Sequence, residues 1–520
     1  MIYKRHRLLL LFASVLVACS KEKTPEIPDL NEDETTETAM TRFAFLQEDN
    51  PQLTEDKAFT IEDDRIDGYL PLSGNDLKLI PSFNFEGVYV EVEGKTQSSG
   101  RSWQDFSRPV TYIVHGKEGD RKAYTVTAGH DLVLPAIHLF TDGNRPVTDK
   151  ENYVSGSVRF EDPDGIYSEV GLLECQMGIR GRGNTTWEMP KKPWKIKLSE
   201  KNPVFGISKS KDWALLANYS DKTLLRNITA MEMSRICEMA WTPQMKSARV
   251  YFNGDYQGVY TLSEHKEVSK HKVDIDPDAG DVYLEIDSNL DGARYFTTRV
   301  GIPIVFKDPE NPSDDQSDAI RDYFSAFETA LYSSDFDDPN KGYARYIDID
   351  SFINYFIVAE LSKNIDGNIR KSSFLTKERD GKLTFYHLWD FDLAFGNCDY
   401  FNYFPGADNG PEGWFVRYYI ESGRSDGWYG RMFCDKAFTD RLKERWNTVR
   451  DDLGRIPDFI DRSVKELYGA EADNFKRWPI LNLKVWPNPV VTGSYQGEVQ
   501  YLKDYYSQRF QWLDKEINRL

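Results

Sequence analysis

Residues 351–396 are the part of this 520-residue chain that most limits what it can fold into. An apolar helical run leads into the polar segment around Asp366, and the apolar residues 382–389 then predict a strand. That strand ends in Asp390 and Asp392 with one phenylalanine between them, so both carboxylates fall on one face, about 6.7 Å apart. Each aspartate alone is common as a cap or turn residue, but the order helix, Asp, strand, Asp-x-Asp predicts a shared acidic site.

This acidic site has a definite chemistry. Two carboxylates that share a face suit a hard cation such as Mg²⁺. Asp366, which follows a helix and precedes the strand, is placed like a base that orients a hydroxyl beside a metal–phosphate group. The sequence therefore predicts a catalytic role for Asp366 and metal-binding roles for Asp390 and Asp392.

A glycine-rich stretch upstream is a candidate anion site. Its glycines let the backbone approach an anion closely, and its arginines can bond phosphate oxygens. Arg180, Arg182 and Asn184 are the candidate ligands. A glycine-rich turn with solvated arginines explains the same residues, and both interpretations stay open.

The next strand offers lysines for phosphate binding. In an extended chain Trp194, Ile196 and Leu198 face the core. Lys195 and Lys197 then share the other face, where one of them can reach phosphates if that face lines a cleft. An amphipathic strand with both lysines in water is the common alternative.

A helix predicted to begin near Ser220-Asp221 carries Glu232 on an otherwise apolar line. A buried glutamate needs a partner, and a lysine of the preceding strand would supply one. Glu232 at the edge of the apolar stripe, reaching solvent, is an equal alternative. A hairpin with an Asn253-Gly254 turn follows, and its second strand runs to Glu264.

The N-terminal end has the pattern of an export signal. Residues 1–18 combine a basic start with a short apolar run, and the Leu-Val-Ala-Cys ending predicts lipidation of Cys19. Residues 19–40 are polar and acidic and predict a flexible tether. We therefore expect an outer-membrane lipoprotein that faces either the periplasm or the cell surface.

Residues 41–130 predict a small all-β sandwich, because Val90, Val110, Tyr112 and Tyr124 belong to alternating stretches broken by glycine and proline. The formal net charge of −19 argues against nonspecific nucleic-acid binding. No apolar run reaches the roughly 20 residues of a membrane-spanning helix.

Residues 132–520 resemble the CotH family of atypical protein kinases. The match rests on motifs in order: Ile179-Arg180-Gly181-Arg182-Gly183-Asn184, Trp213-Ala214-Leu215-Leu216-Ala217-Asn218, Asn253-Gly254-Asp255-Tyr256, Tyr283-Leu284-Glu285-Ile286-Asp287, Asn364-Ile365-Asp366 and Trp389-Asp390-Phe391-Asp392. Residues 41–130 resemble the immunoglobulin-like modules that open many Bacteroidota surface lipoproteins.

The CotH resemblance implies an α+β fold in which a divergent protein-kinase-like domain, with a β-rich N-lobe and a helical C-lobe, follows the sandwich. It implies ATP and Mg²⁺ as cofactors and phosphorylation of Ser or Thr in surface or secreted proteins. The implied nucleotide contacts are Arg180, Arg182, Asn184 and Glu264, and the implied catalytic group is Asp366, Lys195, Lys197 and Glu232.

The metal site implied by the resemblance departs from the family pattern at one place. Many members have an asparagine as second metal ligand at the position where this chain has Ser372. Asn368, which is close in sequence, is the candidate substitute. The implied metal ligands are therefore Asp390 and Asp392 together with Ser372 or Asn368. This departure leaves room for a catalytically inactive relative. The rival hypothesis is therefore a cell-surface adhesion or glycan-associated scaffold, which the anchor, the sandwich and the 12 Trp, 29 Tyr and 30 Phe residues also support.

Overall fold

The computed structural model describes residues 38–72, 77–106, 108–130, 134–163, 165–168, 171–290, 292–367, 369–400, 409–416 and 427–520. The chain divides into two compact units, the first ending at Ala128 and the second running from Gly129 to Leu520. The predicted signal peptide, Cys19 with its predicted lipidation, most of the predicted tether and Asn368 lie outside the described residues.

The first unit is built from short strands. They form a three-stranded sheet in the order β2-β1-β6, a six-stranded sheet in the order β3-β4-β11-β10-β7-β8, and the pair β5-β9. The strands are β1 (Ala39–Phe45), β2 (Lys57–Ala58), β3 (Thr60–Glu62), β4 (Arg65–Leu70), β5 (Lys78–Leu79), β6 (Pro81–Glu86), β7 (Tyr89–Val92), β8 (Lys95–Thr96), β9 (Gln104–Asp105), β10 (Val110–His115) and β11 (Arg121–His130).

The alternation in these strands has the predicted effect. Val90, Val110, Tyr112 and Tyr124 are all buried, and the rings of Phe43 and Tyr112 meet edge to face at 5.2 Å. The prediction of half-buried strands is confirmed at these positions. The immunoglobulin-like topology stays a prediction.

The second unit opens with a closed barrel of seven strands in the order β12-β13-β14-β15-β16-β18-β17. Its strands are β12 (Ala136–Thr141), β13 (Val154–Glu161), β14 (Leu172–Gly181), β15 (Trp194–Val204), β16 (Ile207–Leu216), β17 (Met245–Phe252) and β18 (Asp255–Glu264). Trp194, Ile196 and Leu198 are buried in the barrel core, as their alternation predicts. Asn253 and Gly254 both have positive φ and close the predicted hairpin between β17 and β18.

A second sheet and the helices complete this unit, which is mixed α+β with its β-rich part first and its helical part last. The sheet has the order β20-β21-β19-β22-β23. Its strands are β19 (Val282–Ile286), β20 (Tyr295–Thr297), β21 (Pro303–Asp308), β22 (Ser373–Lys377) and β23 (Leu383–Leu388). The helices are α1 (Thr185–Glu188), α2 (Arg226–Ile236), α3 (Asp314–Leu331), α4 (Ile349–Ser362), α5 (Trp428–Met432), α6 (Lys436–Leu453), α7 (Ile456–Glu466), α8 (Ala470–Arg477) and α9 (Tyr495–Asn518).

One helix start differs from the prediction. Helix α2 begins at Arg226 rather than near Ser220, because the Asp221 carboxylate bonds the backbone N–H of Thr223 and of Arg226 and so holds a turn ahead of the helix. The Arg226 guanidinium also lies 2.6 Å from the Asp221 carboxylate, with both side chains buried. The predicted N-cap pair is therefore wrong: the N-cap of α2 is Leu225, which makes no side-chain capping bond, and Asp221 stabilises the turn that precedes the helix.

None of the helices in the described ranges is both long enough and apolar enough to cross a membrane. Within these ranges Cys175, Cys237, Cys398 and Cys434 are free thiols.

A candidate active-site cleft

A cleft of about 890 Å³ opens in the second unit. It is lined by residues from the loop after β14, from the ends of β16, β19 and β21, and from the segments that follow α4 and β23. Six acidic and five basic side chains share its walls: Glu285, Asp287, Asp366, Asp390, Asp392 and Asp399 with Arg182, Lys266, Lys307, Arg370 and Lys371. A cavity with both signs of charge suits a ligand that brings an anion and a cation together.

The structure brings the three predicted aspartates into this one cleft. Asp366 lies just after the C-terminal end of α4, and Asp390 and Asp392 lie just after the C-terminal end of β23. The Asn364 amide nitrogen donates to the Asp390 carbonyl at 3.0 Å, and this bond connects the segment after α4 to the segment after β23. Asp390 has a φ of 68°, a left-handed backbone that is strained for a residue with a side chain and often found at functional sites.

The electrostatics of the acidic group are unfavourable without a counter-charge. The pKa of Asp392 is raised well above its ordinary value by desolvation and then by the neighbouring charge of Asp390. The pKa of Asp390 is also raised, first by desolvation, although the nearby Arg182 guanidinium opposes that shift. Asp390 lines the cleft and is exposed there, so a ligand can reach it.

The acidic group fits a metal ion in its chemistry but not in a preformed geometry. Among the described residues, no group of three or more His, Cys, Asp or Glu is already arranged to hold a metal. The predicted convergence of three carboxylates on one ion is therefore not preformed. Asn364 nevertheless carries a buried amide oxygen without a hydrogen-bond partner, on the side chain that bonds Asp390. Carboxylate and amide oxygens are the donor types that a hard divalent cation prefers, so the chemistry of these residues fits such an ion.

A lysine–glutamate group provides the positive side of the cleft. The Lys266 ammonium lies 3.3 Å from one Glu285 carboxylate oxygen, and the Lys307 ammonium lies 3.1 Å from the other. Burial lowers the pKa of Lys266, while the Glu285 charge acts in the opposite direction. Arg182 and Lys266 also lie over the Trp389 ring, at 5.8 and 5.5 Å from its centroid.

Sequence reasoning missed Lys266. The available signal was Glu285, a single carboxylate inside the otherwise apolar strand β19, which is buried throughout. A buried glutamate requires a cationic partner. The reasoning that predicts a partner for Glu232 also indicates one for Glu285.

The pairing predicted for the β15 lysines needs correction. The Lys195 ammonium is 2.9 Å from the Asp212 carboxylate of β16, and Lys197 is exposed. Glu232 pairs with Arg235 one turn along its own helix. The alternation that buries Trp194, Ile196 and Leu198 places Lys195 and Lys197 on the outer face of the barrel. Neither these lysines nor Glu232 of α2 is among the residues that line the cleft.

The predicted nucleotide contacts divide into two groups. Arg182 and Asn184 line the cleft, whereas Arg180 and Glu264 are not among its lining residues. Arg180 donates to the Lys150 carbonyl and lies over the Tyr153 ring. Glu264 is buried and accepts from the Gln244 backbone N–H at 2.9 Å, so it braces the end of the barrel.

The surroundings of Asp366 complete the site. Its carboxylate lies 3.3 Å from the Arg370 guanidinium and 3.4 Å from the Tyr400 hydroxyl. Ser372 lines the same cleft with a φ of 49°, another left-handed position. The predicted metal ligand Asn368 falls outside the described residues.

The fold and the site define a class: an α+β protein whose mixed-charge cleft lies among loops of a seven-stranded barrel and an adjoining sheet. Residues 179–513, more than half of the chain, match the family described as CotH kinase protein, and the chain belongs to this family. Membership suggests kinase-like function with nucleotide and metal use in general.

Two further comparisons add little. No curated protein matches the chain. One similar solved structure is titled as that of "a putative glycoside hydrolase" from Bacteroides thetaiotaomicron, at 13% identity, covering 57% of this chain and 89% of its own, with a TM-score of 0.15. A TM-score this low carries no argument about fold or activity.

Proposed function

We propose that the second unit is a divergent kinase-like domain that transfers the γ-phosphoryl group of ATP, bound with Mg²⁺, to a serine or threonine hydroxyl. The observation that carries the proposal is the meeting of an acidic group, Asp366 with Asp390 and Asp392, and a lysine–glutamate pair, Lys266 with Glu285, in one cleft. Family membership supports the reaction class.

The basic side chains have the role of binding phosphate. Lys266 and Arg182 are fixed by the Glu285 carboxylate and the Trp389 ring, so their charges are held in place before a ligand arrives. Preorganised cations of this kind stabilise negative charge at little reorganisation cost. They replace Lys195 and Lys197 in the phosphate-binding role.

The acidic side chains have two roles. Asp390 and Asp392, with the Asn364 amide oxygen, would hold the cation, which when bound supplies charge neutralisation for the transferred phosphoryl group. Asp366 accepts the proton of the acceptor hydroxyl as the new oxygen–phosphorus bond forms. The bond between phosphorus and the bridging oxygen breaks at the same stage, and the nucleoside diphosphate leaves.

A thermal unfolding assay tests the proposal. Mg²⁺–ATP at about 100 times its Kd should stabilise the wild-type protein by about 2.7 kcal/mol. The Asp390→Ala and Asp392→Ala variants should each lose this shift, and both should also lose any shift produced by Mg²⁺ alone. The absence of a shift in the wild type at millimolar nucleotide would favour the noncatalytic surface scaffold instead.

We also propose that the chain is anchored to the outer membrane through a lipid on Cys19, with residues 1–18 removed. The support is the sequence pattern alone. Metabolic labelling with a radioactive fatty acid should mark the wild type and not Cys19→Ala. A labelled Cys19→Ala protein would contradict the assignment.

A further inference from the structure

Four large apolar side chains, Leu483, Trp486, Val490 and Val491, are exposed within nine residues of the segment before α9. We call these four residues the apolar patch. Leu483 and Trp486 each expose 55% of their surface. Single exposed apolar residues are ordinary, whereas four of them so close in sequence, one of which lines the cleft, indicate a contact surface.

Buried polar contacts hold the backbone of this segment in place. The Lys222 ammonium donates to the Leu483 carbonyl at 2.7 Å. The Asn488 amide donates to the Ser220 carbonyl at 2.7 Å and to the Asn397 side chain at 2.9 Å. A fixed backbone that leaves its apolar side chains in water is preorganised to bind, since little ordering is needed on contact.

The same contacts tie the apolar patch to the acidic group. The Asn397 side-chain oxygen accepts from Asn488, and the Asn397 amide nitrogen donates to the Asp392 carbonyl at 2.8 Å. Lys484 lies 3.1 Å from Asp399, which lines the cleft. The segment is therefore bonded to the loop that carries the candidate metal ligands.

The patch also reaches the candidate base. Trp486 lines the cleft and stacks on Tyr400, with ring centroids 5.8 Å apart and planes inclined by 19°. The Tyr400 hydroxyl is 3.4 Å from the Asp366 carboxylate. An acceptor hydroxyl beside Asp366 thus brings the rest of its molecule against Tyr400 and Trp486.

We propose that the apolar patch binds the acceptor as a polypeptide with an aromatic or large aliphatic side chain next to the phosphorylated serine or threonine. This inference rests on the proposed function and names its substrate class. Leu483, Val490 and Val491 offer no side-chain hydrogen bond to sugar hydroxyls, whereas an apolar peptide side chain gains by leaving water. The composition of the patch therefore favours a peptide over a glycan.

The test measures peptide binding directly, so it does not depend on turnover. Two fluorescent serine peptides, identical except for Phe or Ala beside the serine, are titrated with the full chain in Mg²⁺ and a non-hydrolysable ATP analogue. We expect the Phe peptide to bind about tenfold more tightly. Trp486→Ala should erase the difference and Trp486→Phe should retain most of it. The matched control is Trp103→Ala, which removes a 59% exposed tryptophan of the first unit and should change nothing.

Four outcomes would overturn the inference. Equal binding of the two peptides by the wild type, with nucleotide binding intact, removes the apolar patch as an acceptor site and leaves the proposed function standing. If Trp486→Ala binds nucleotide more weakly but still prefers the Phe peptide to the same degree, Trp486 contacts the nucleotide and not the peptide. If an oligosaccharide binds tightly, competes with the Phe peptide and no longer binds to Trp486→Ala, the ligand of the apolar patch is a glycan and not a peptide. A wild type that binds no nucleotide overturns the proposed function first, and the acceptor role with it.

Discussion

The ammonium group of Lys266, just beyond the end of β18, lies 3.3 Å from the carboxylate of Glu285 in the middle of β19. This pair connects the barrel to the adjoining sheet at the wall of the cleft. Because Lys307 approaches the other Glu285 oxygen at 3.1 Å, Glu285 holds two ammonium groups on the side where phosphate is expected.

Replacing Lys266 should therefore affect the ligand. We expect Lys266→Met to weaken Mg²⁺–ATP binding by about 2 kcal/mol or more, roughly thirtyfold, because a charge-assisted contact to phosphate is lost. Lys195→Met is the matched control, since that lysine pairs with Asp212 and is not among the residues that line the cleft. Calorimetric titration compares the two variants, and equal losses would contradict the assignment of Lys266.

Asp366→Asn should separate binding from transfer. We expect transfer of labelled phosphate to fall by about 10² to 10⁴, the range for loss of a general base, while nucleotide affinity changes little. Asp399→Asn removes another carboxylate of the same cleft, one that pairs with Lys484 at 3.1 Å, and should retain most of the transfer. An equal decrease in both variants would show that overall cleft charge, rather than Asp366 itself, governs the rate.

Asp287 predicts a pH dependence of stability. Desolvation, aided by the Glu285 charge, raises the pKa of Asp287 from 3.8 to about 6. The folded state therefore binds this proton more tightly than the unfolded state, so stability is lost as the pH rises from about 4 through about 6. After allowance for partial solvent exposure, the effect is about 1–2 kcal/mol.

Asp287→Asn should accordingly flatten the pH dependence and make the protein more stable than the wild type at pH 8. Urea unfolding at pH 5 and pH 8 measures both effects. If the free energy of unfolding differs between pH 5 and pH 8 by the same amount in the wild type and in Asp287→Asn, the role of Asp287 is refuted.

Gly183 is predicted to be essential for the loop that follows β14. It has a φ of 81°, and a Cβ there would stand 2.2 Å from the Thr186 hydroxyl oxygen. Gly254 in the hairpin turn has a φ of 85° but open space around it. Both Ala variants should lose about 1 kcal/mol of stability from the backbone conformation, and Gly183→Ala should lose more.

The second consequence of Gly183→Ala concerns the ligand. Because Gly183 lines the cleft, its displacement should also weaken nucleotide binding, whereas Gly254→Ala should bind normally. Thermal unfolding with and without Mg²⁺–ATP distinguishes the two variants. Identical ligand-induced shifts would exclude the loop from the binding site.

Much of the local structure could be predicted because local patterns depend on neighbours in sequence. The alternation of Trp194, Ile196 and Leu198 predicted the buried face of β15, and the Asn253-Gly254 turn predicted its hairpin. The strand predicted over 382–389 is β23, Leu383–Leu388. Burial of apolar side chains at period two is sufficient to fix each of these elements.

The partners of the ion pairs were predicted incorrectly from the sequence. Glu232 was expected to meet a β15 lysine, yet Arg235 lies one turn away on the same helix and needs no tertiary approach. Lys195 found Asp212 on the neighbouring strand for a similar reason. A charged side chain pairs with the nearest available opposite charge. Sequence spacing shows that charge for an i,i+3 pair on one helix, but not for partners on two different strands.

By itself, the sequence determined the family, the strand faces and the arrival of three aspartates at one site, because each follows from local apolar patterning or from a motif. Only the tertiary structure decided which lysine meets a buried glutamate and which aromatic ring lies beside Asp366. Those contacts join residues on separate elements, such as Tyr400 with Trp486, and depend on how the barrel, the sheet and the helices pack. Packing sets such distances through the summed burial of many side chains, which no single segment encodes.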